Sequence, residues 1–548
     1  MDFSLSGNNS SRIQNVIFLV IDCLSTSFLK KGGNSLDICP VINSLADNGI
    51  VCVNARSHSW ATQLSCPSIF TSTLPLDYGG YDFGILKRPL SIAEALKDNG
   101  FYTVGFTPNP WGGEFYGYDR GFDEFYELFD VSKFWIIFSD IYHRYYVTLF
   151  KQGILSRQNY CRIMGDLFDK FLQELLRRCN QISHDLNAKR CRYDFSIHRH
   201  DFTLYQSILK SIQTEFRKNK TQYILAHLSD DISNKFRFFL TGQNEESDRK
   251  DLLASFLRIP SSLLKRLGVQ IRRYRHTVST DYLRKEVNSA IGRFSQKPFF
   301  IWTHLFEIHD NISIPGRFGW PEDFVTLGFQ RMLDYKNPIK SVNRIFALRL
   351  IDKQIAEIIK KLKSENLFEK TLIVICGDHG FTAKHTEENL GSLSEENTRV
   401  PIIFFNPNMK NRIITEPCGL QDVAPTILSL IGAKPRPEFH GQSLIEKPSP
   451  DRPVILESLC PGPGDFSFKA VNIAVIRGKN KLIWYEPGYE NTCKKRQNSF
   501  FDLENDPKES VNLYGNEKYK KEICELETIA TERCNLLRQK TSEPIQLS

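Results

Sequence analysis

The sequence has no Cys-x-x-Cys pair, although it holds 13 cysteines among 548 residues. Their number is odd, and Cys23, Cys52 and Cys376 lie inside apolar runs. That usage speaks for reduced thiols and against a disulfide framework. Long apolar runs are also missing. The first one, residues 16–21, is too short to cross a bilayer, has no basic start and stops at Asp22. Neither a membrane span nor a signal peptide is expected, and the expected location is the cytoplasm. There is no internal repeat and no low-complexity tract. No nucleic-acid-binding motif accompanies the net charge of +8, so nucleic acid is not an expected partner.

What is present fits a folded, water-facing protein. Apolar residues make up 41% and charged residues 24%, the balance of a globular chain. The length allows one large domain with attachments or several ordinary ones. Positive charge is concentrated. Residues 131–300 carry about 30 Lys and Arg against 16 Asp and Glu, and the rest of the chain is net acidic. This stretch has helical spacing, with Phe168, Phe171, Leu172, Leu175 and Leu176 on one face. Residues 252–276 are amphipathic and cationic. Such a segment packs its apolar face on a core, or lies against an anionic membrane or polyanion.

On either side of it the pattern is α/β. Residues 15–21 and 372–376 are apolar runs rich in β-branched residues, as in buried strands of a parallel sheet. Asp22 ends the first, and Gly377-Asp378-His379-Gly380 ends the second. Open α/β sheets place ligand sites at such carboxyl ends. A carboxylate beside an imidazole there is half a site for a divalent metal. In residues 57–72 small hydroxyl residues give way to an apolar helix. Thr62 falls at its start, where a hydroxyl serves either as a nucleophile or as a cap. Residues 298–304 read as another strand carrying His304. His309, beside Asp310, falls in the loop beyond and is the better site candidate of the two. Residues 118–129 read as a loop. Residues 342–365 form a long helix, with Asp352 expected on its exposed face. Residues 454–459, 474–477 and 481–485 alternate like a small antiparallel sheet, and a last helix is expected near 517–540.

These pieces resemble the sulfatase family of the alkaline phosphatase superfamily. The resemblance rests on NVIFLVIDCLS, SWATQLSCPSIFTSTLP, PFFIWTHLFEIHD and TLIVICGDHG, in the family's order. ENTRVPIIFFNP, LQDVAPTILSLIGAKPRPEFHGQSL and SFFDLENDPKESVNL add weaker matches. The implied fold is α/β, a mixed and mainly parallel sheet sandwiched by helices. A helical insertion and a small C-terminal antiparallel sheet complete it. The implied division is a catalytic domain at 13–130 and 297–450, a basic insertion at 131–296 and a C-terminal subdomain at 451–548.

The resemblance places Thr62 at the nucleophile position, with Leu64, Ser65 and Cys66 where sulfatases proper carry Pro, Ser and Arg. A formylglycine is therefore not expected. The implied ligands of one divalent ion are Asp22, Thr62, Asp378 and His379. Cys23 stands where many sulfatases have a second Asp. That mixed set suits Mn²⁺, Zn²⁺ or Mg²⁺ better than Ca²⁺. His309, Lys384 and His385 would neutralise the reacting group or protonate the leaving oxygen, and His304 and Ser65 would contact substrate. The implied activity is hydrolysis of an anionic sulfate, phosphate or phosphonate ester. The alternatives are a phospho-alcohol transferase acting on a glycan or lipid, and an inactive member that binds a polyanion.

Overall fold

The structure is a computed structural model that describes residues 13–129, 132–187, 202–230, 232, 279–310, 342–381, 392–446, 448–459, 470–486 and 497–541. Its centre is β1 (Asn15–Ile21), seven residues that are all buried. Burial on both faces is what a run of Val, Ile, Phe and Leu without alternation demands. The remaining strands of its sheet are β2 (Ile50–Cys52), β4 (Tyr102–Thr107), β5 (Glu124–Glu127), β6 (Phe299–Leu305), β7 (Thr371–Gly377), β8 (Ile402–Phe405) and β9 (Arg412–Ile414). The order is β5-β4-β6-β1-β7-β8-β2-β9. Only the pairings of β8, with β7 and with β2, are antiparallel. A short bridge of β3 (Ala55–Arg56) with β10 (Cys418–Gly419) lies beside it.

Alternation along β1 assigns the two faces of the sheet. Ile17, Leu19 and Ile21 enter one apolar cluster, while Val16, Phe18 and Val20 enter the other. The first cluster continues into helices Arg157–Asn187 and Val342–Ser364 through Phe168, Leu172, Leu348 and Ile351. The second takes in Cys66, Ile69 and Phe70 of helix Thr62–Thr71 and Val423 and Ile427 of helix Val423–Leu430. The basic segment thus shares the core of the sheet instead of standing apart from it.

A second sheet, β11 (Val454–Leu459), β12 (Val471–Arg477), β13 (Asn480–Glu486) and β14 (Ser499–Asp502), is antiparallel throughout. Helix Lys520–Thr541 covers it, and their shared cluster includes Leu64 from helix Thr62–Thr71. Buried ion pairs tie the second sheet and its helix to segments beside the main sheet. Glu395 meets Arg56 at 2.6 Å and Lys481 at 3.0 Å, and Arg533 bridges Asp77 and Glu457.

Two expectations need correction. Residues 124–127 are not loop but the edge strand β5, paired only with β4. Asp352 does not face solvent: it is 3% exposed and accepts the Val41 and Ile42 N–H groups. Those donors open helix Pro40–Asn48, whose own N-cap position offers no side-chain acceptor. A carboxylate from a neighbouring helix thus caps it.

Candidate active site

Strand register assembles the site. Ile21 lies opposite Gly377 in β7, and Val20 lies opposite His304 in β6. Facing residues of parallel strands share a side of the sheet, and so do residues two apart. Asp22, His304 and Asp378 therefore emerge together from three adjacent strand ends. All three are fully buried. His304 Nε2 is 3.5 Å from an oxygen of each carboxylate. Gly377 and Gly380 are needed for space here, since neither has a positive φ. A Cβ on Gly377 would lie 2.2 Å from the Leu24 carbonyl oxygen, and one on Gly380 would lie 2.2 Å from that of Glu396.

Thr62 arrives from the other direction, as the first residue of helix Thr62–Thr71. Its hydroxyl donates to Asp378 Oδ2 at 2.8 Å and lies 3.2 Å from Asp22 Oδ2 and 3.4 Å from His379 Nε2. His379 donates Nδ1–H to the Gly380 carbonyl at 2.6 Å, which turns Nε2 toward the carboxylates of Asp22 and Asp378. Cys23 takes a left-handed φ of 61°. That turn aims its N–H at Asp378 Oδ1, 3.1 Å away, and sets its Sγ 3.1 Å from Asp22 Oδ1. A strained backbone of this kind is held only where its surroundings fix it. Burial alone would raise the Asp378 carboxyl. His379, His304 and the Thr62 hydroxyl outweigh it and hold that group below the usual carboxylate range. Burial and the two carboxylates push the Cys23 thiol up.

A divalent ion fits these residues. Both ring nitrogens of His304 lack a hydrogen-bond partner although the residue is fully buried. An orphaned imidazole between two carboxylates is costly without a cation to share. The grouped donors are Asp22, His304 and Asp378, and Asp22, Cys23 and His379.

The structure brings Asp22, Thr62, Asp378 and His379 together. It adds His304 to the same cluster, where the sequence reading had a substrate contact. His309 lies outside the cluster, exposed on the turn Glu307–Asp310, its ring stacked on Phe306 with centroids 4.5 Å apart. Ser65 is fully buried, and its hydroxyl donates to the Thr62 carbonyl at 3.3 Å. It braces the helix start instead of facing a substrate. Lys384 and His385 lie outside the described residues. Sequence reasoning also passed over Arg344, which is 5% exposed at the head of helix Val342–Ser364. Its signal was an Arg on the apolar stripe that runs through Leu348, Ile351 and Ile355.

Comparison with known proteins agrees with this architecture. The family model described as Sulfatase matches residues 14–433. The chain belongs to the sulfatase family. Among curated relatives of this sulfatase-family chain, an arylsulfatase of Clostridium perfringens is 28% identical over 184 residues, 32% of this chain and 35% of that protein. A choline-sulfatase of Rhizobium meliloti is 28% identical over 191 residues, 33% of this chain and 34% of that one. The matched region thus spans about a third of these relatives' length. The phosphonate monoester hydrolase of Agrobacterium radiobacter shares the fold with a TM-score of 0.53 at 13% identity, over 96% of both chains. A 2-O GAG sulfatase does so with a TM-score of 0.53 at 13% identity, over 98% of this chain and 94% of that one.

Proposed function

We propose that this sulfatase-family protein is a metal-dependent hydrolase of anionic sulfate, phosphate or phosphonate esters, with Thr62 as the nucleophile. The observation that carries the reading is the convergence on one hydroxyl. Thr62 Oγ1 sits at a helix start within 3.4 Å of Asp22, Asp378 and His379. A capping hydroxyl would bond its own helix, whereas this one bonds three strand-end side chains. Curated relatives that are sulfatases and a structural neighbour that is a phosphonate monoester hydrolase support the substrate classes.

Asp22, Asp378, His379, Thr62 and His304 would hold the ion, with Cys23 beside them. Bound there, a divalent ion supplies the positive charge that lowers a hydroxyl pKa and draws charge from the ester oxygens. Asp378 accepts the Thr62 O–H and fixes the direction from which Oγ1 approaches. Thr62 Oγ1 loses its proton to solvent and attacks the sulfur or phosphorus, and the bond to the leaving oxygen breaks opposite to it. The leaving oxygen would take its proton from solvent or from a histidine near the site, His309 on the turn after β6 being one candidate although it stands outside the cluster. Water then cleaves the Thr62 ester. A threonine cannot yield formylglycine, so the phosphorus esters are the favoured substrates.

The test is turnover of nitrophenyl sulfate, phosphate monoester, phosphate diester and phosphonate monoester, with Mn²⁺, Zn²⁺, Mg²⁺ or Ca²⁺. The expected result is activity on a phosphorus ester, lost on chelation and reduced on the order of 10³-fold or more by Thr62→Ala. Sulfate hydrolysis that survives Thr62→Ala and disappears with Cys66→Ala would overturn the assignment.

A further inference from the structure

Arg344 is a buried charge that no described carboxylate holds in an ion pair, although the half-buried Glu396 lies near enough to favour it. It is 5% exposed, its Nε has no hydrogen-bond partner, and no carboxylate among the described residues pairs with it. Burial pushes its guanidinium down to about 10. A buried cation in that state is unfavourable unless an anion joins it. Of the other buried cations among the described residues, Arg56, Arg178, Arg533 and Lys481 each hold a carboxylate, and Arg88 donates to the Thr73 hydroxyl and to four backbone carbonyls.

Its position is set by the three strand ends that build the site. The guanidinium carbon lies 3.1 Å from the ring centroid of Phe381, the residue that follows Asp378-His379-Gly380. Helix Val342–Ser364 packs against the turn Glu307–Asp310, which leaves β6 and carries His309. Arg344 also lies within electrostatic reach of the Cys23 position, past the end of β1. A flat ring beneath the guanidinium fixes the plane of its N–H fork. That fork matches two oxygens of a tetrahedral oxyanion.

We propose that Arg344 forms the oxyanion-binding side of the site and takes two non-bridging oxygens of a sulfate, phosphate or phosphonate group. It supplies the charge that Cys66 cannot, since Cys66 is a buried thiol on helix Thr62–Thr71. The inference rests on the ester-hydrolase reading for its substrate, but its test does not need turnover.

The experiment is calorimetric titration of the metal-loaded protein with inorganic sulfate and with inorganic phosphate. The parent, Thr62→Ala, Arg344→Lys and Arg344→Gln are compared, with metal content and melting temperature followed in parallel. The expected result is binding by the parent and Thr62→Ala. Arg344→Gln weakens it about 10- to 100-fold, and Arg344→Lys weakens it less because it keeps the charge and loses the fork. Equal affinity in the parent and Arg344→Gln overturns the proposal, and so does a parent that binds neither anion. If Arg344→Gln does not fold, unchanged affinity in Arg344→Lys overturns it and a measurable loss supports it. Arg344-dependent binding in a protein that turns over no ester would keep this proposal and remove the hydrolase reading.

Discussion

His304 shows how the chemistry of one residue depends on its pairing. Five residues separate it from His309, and by local pattern either one suits a site. The facing of Val20 and His304 across β1 and β6 sends His304 between Asp22 and Asp378 and leaves His309 on an exposed turn. No window of sequence contains that pairing, because its partners lie far apart along the chain. The account therefore expects His304→Ala to weaken metal binding at least about 10- to 100-fold, read by competition with a chromogenic chelator. An unchanged affinity would place the ion elsewhere. Asp22, Asp378 and His379 were legible because each ends an apolar run, and a strand's end is visible in composition. Arg344 and Asp352 were visible only as charges inside a helix's apolar pattern. Such a charge announces burial without naming its partner.

At the scale of elements, the segment leading into Thr62 is clamped by the small sheet. His58 donates Nδ1–H to the Ile455 carbonyl at 2.6 Å, and its own carbonyl accepts the Glu457 N–H at 2.7 Å. The Ser59 hydroxyl donates to the Glu457 carbonyl at 2.6 Å. Burial lowers the imidazole to about 4, against the pull of the Ile455 carbonyl and Asp422, with Arg452 adding to the lowering. A base with a lowered folded-state pKa binds fewer protons folded than unfolded, so its contribution is complete above the unfolded value near 6.5. It is lost as pH falls toward 4. The loss amounts to at most about 3 kcal/mol. Urea unfolding at pH 7.5 and at pH 4.5 should show a steeper fall for the parent than for His58→Gln. Parallel profiles would remove His58 from the account. The three strands β1, β6 and β7 were readable from their apolar runs. The edge strand β5 was not, because residues 124–127 read Glu-Phe-Tyr-Glu, with neither an apolar run nor an alternation, and pair on one side only.

Over the whole molecule, the α/β core, the added helices and the C-terminal sheet share their packing. We take residues 131–296 as an insertion between the two catalytic stretches, and the described part of it contributes Phe138, Phe168, Phe171 and Leu175 to the cluster under β1. Its excision is therefore expected to yield no folded protein, judged by solubility and far-ultraviolet circular dichroism. A folded, metal-binding remainder would show that the helices are an appendage. Among the described residues, no helix is long and apolar enough to cross a membrane, and ten cysteines are free, all but Cys524 buried. The order of the parts was legible in the sequence, since the family's motifs occur in sequence from Asn15 onward. The shared core was not, because amphipathic spacing in a basic helix does not say which surface receives its apolar face.

The central claim is that Thr62 becomes covalently bonded to the substrate's reacting atom. The most direct measurement is the mass of the Thr62-containing peptide after the metal-loaded protein is quenched with acid during turnover of a phosphonate or phosphate ester. The account predicts that Thr62 carries the added phosphonyl or phosphoryl group and that Cys66 remains a thiol. An unmodified Thr62 beside a Cys66 converted to formylglycine would contradict it.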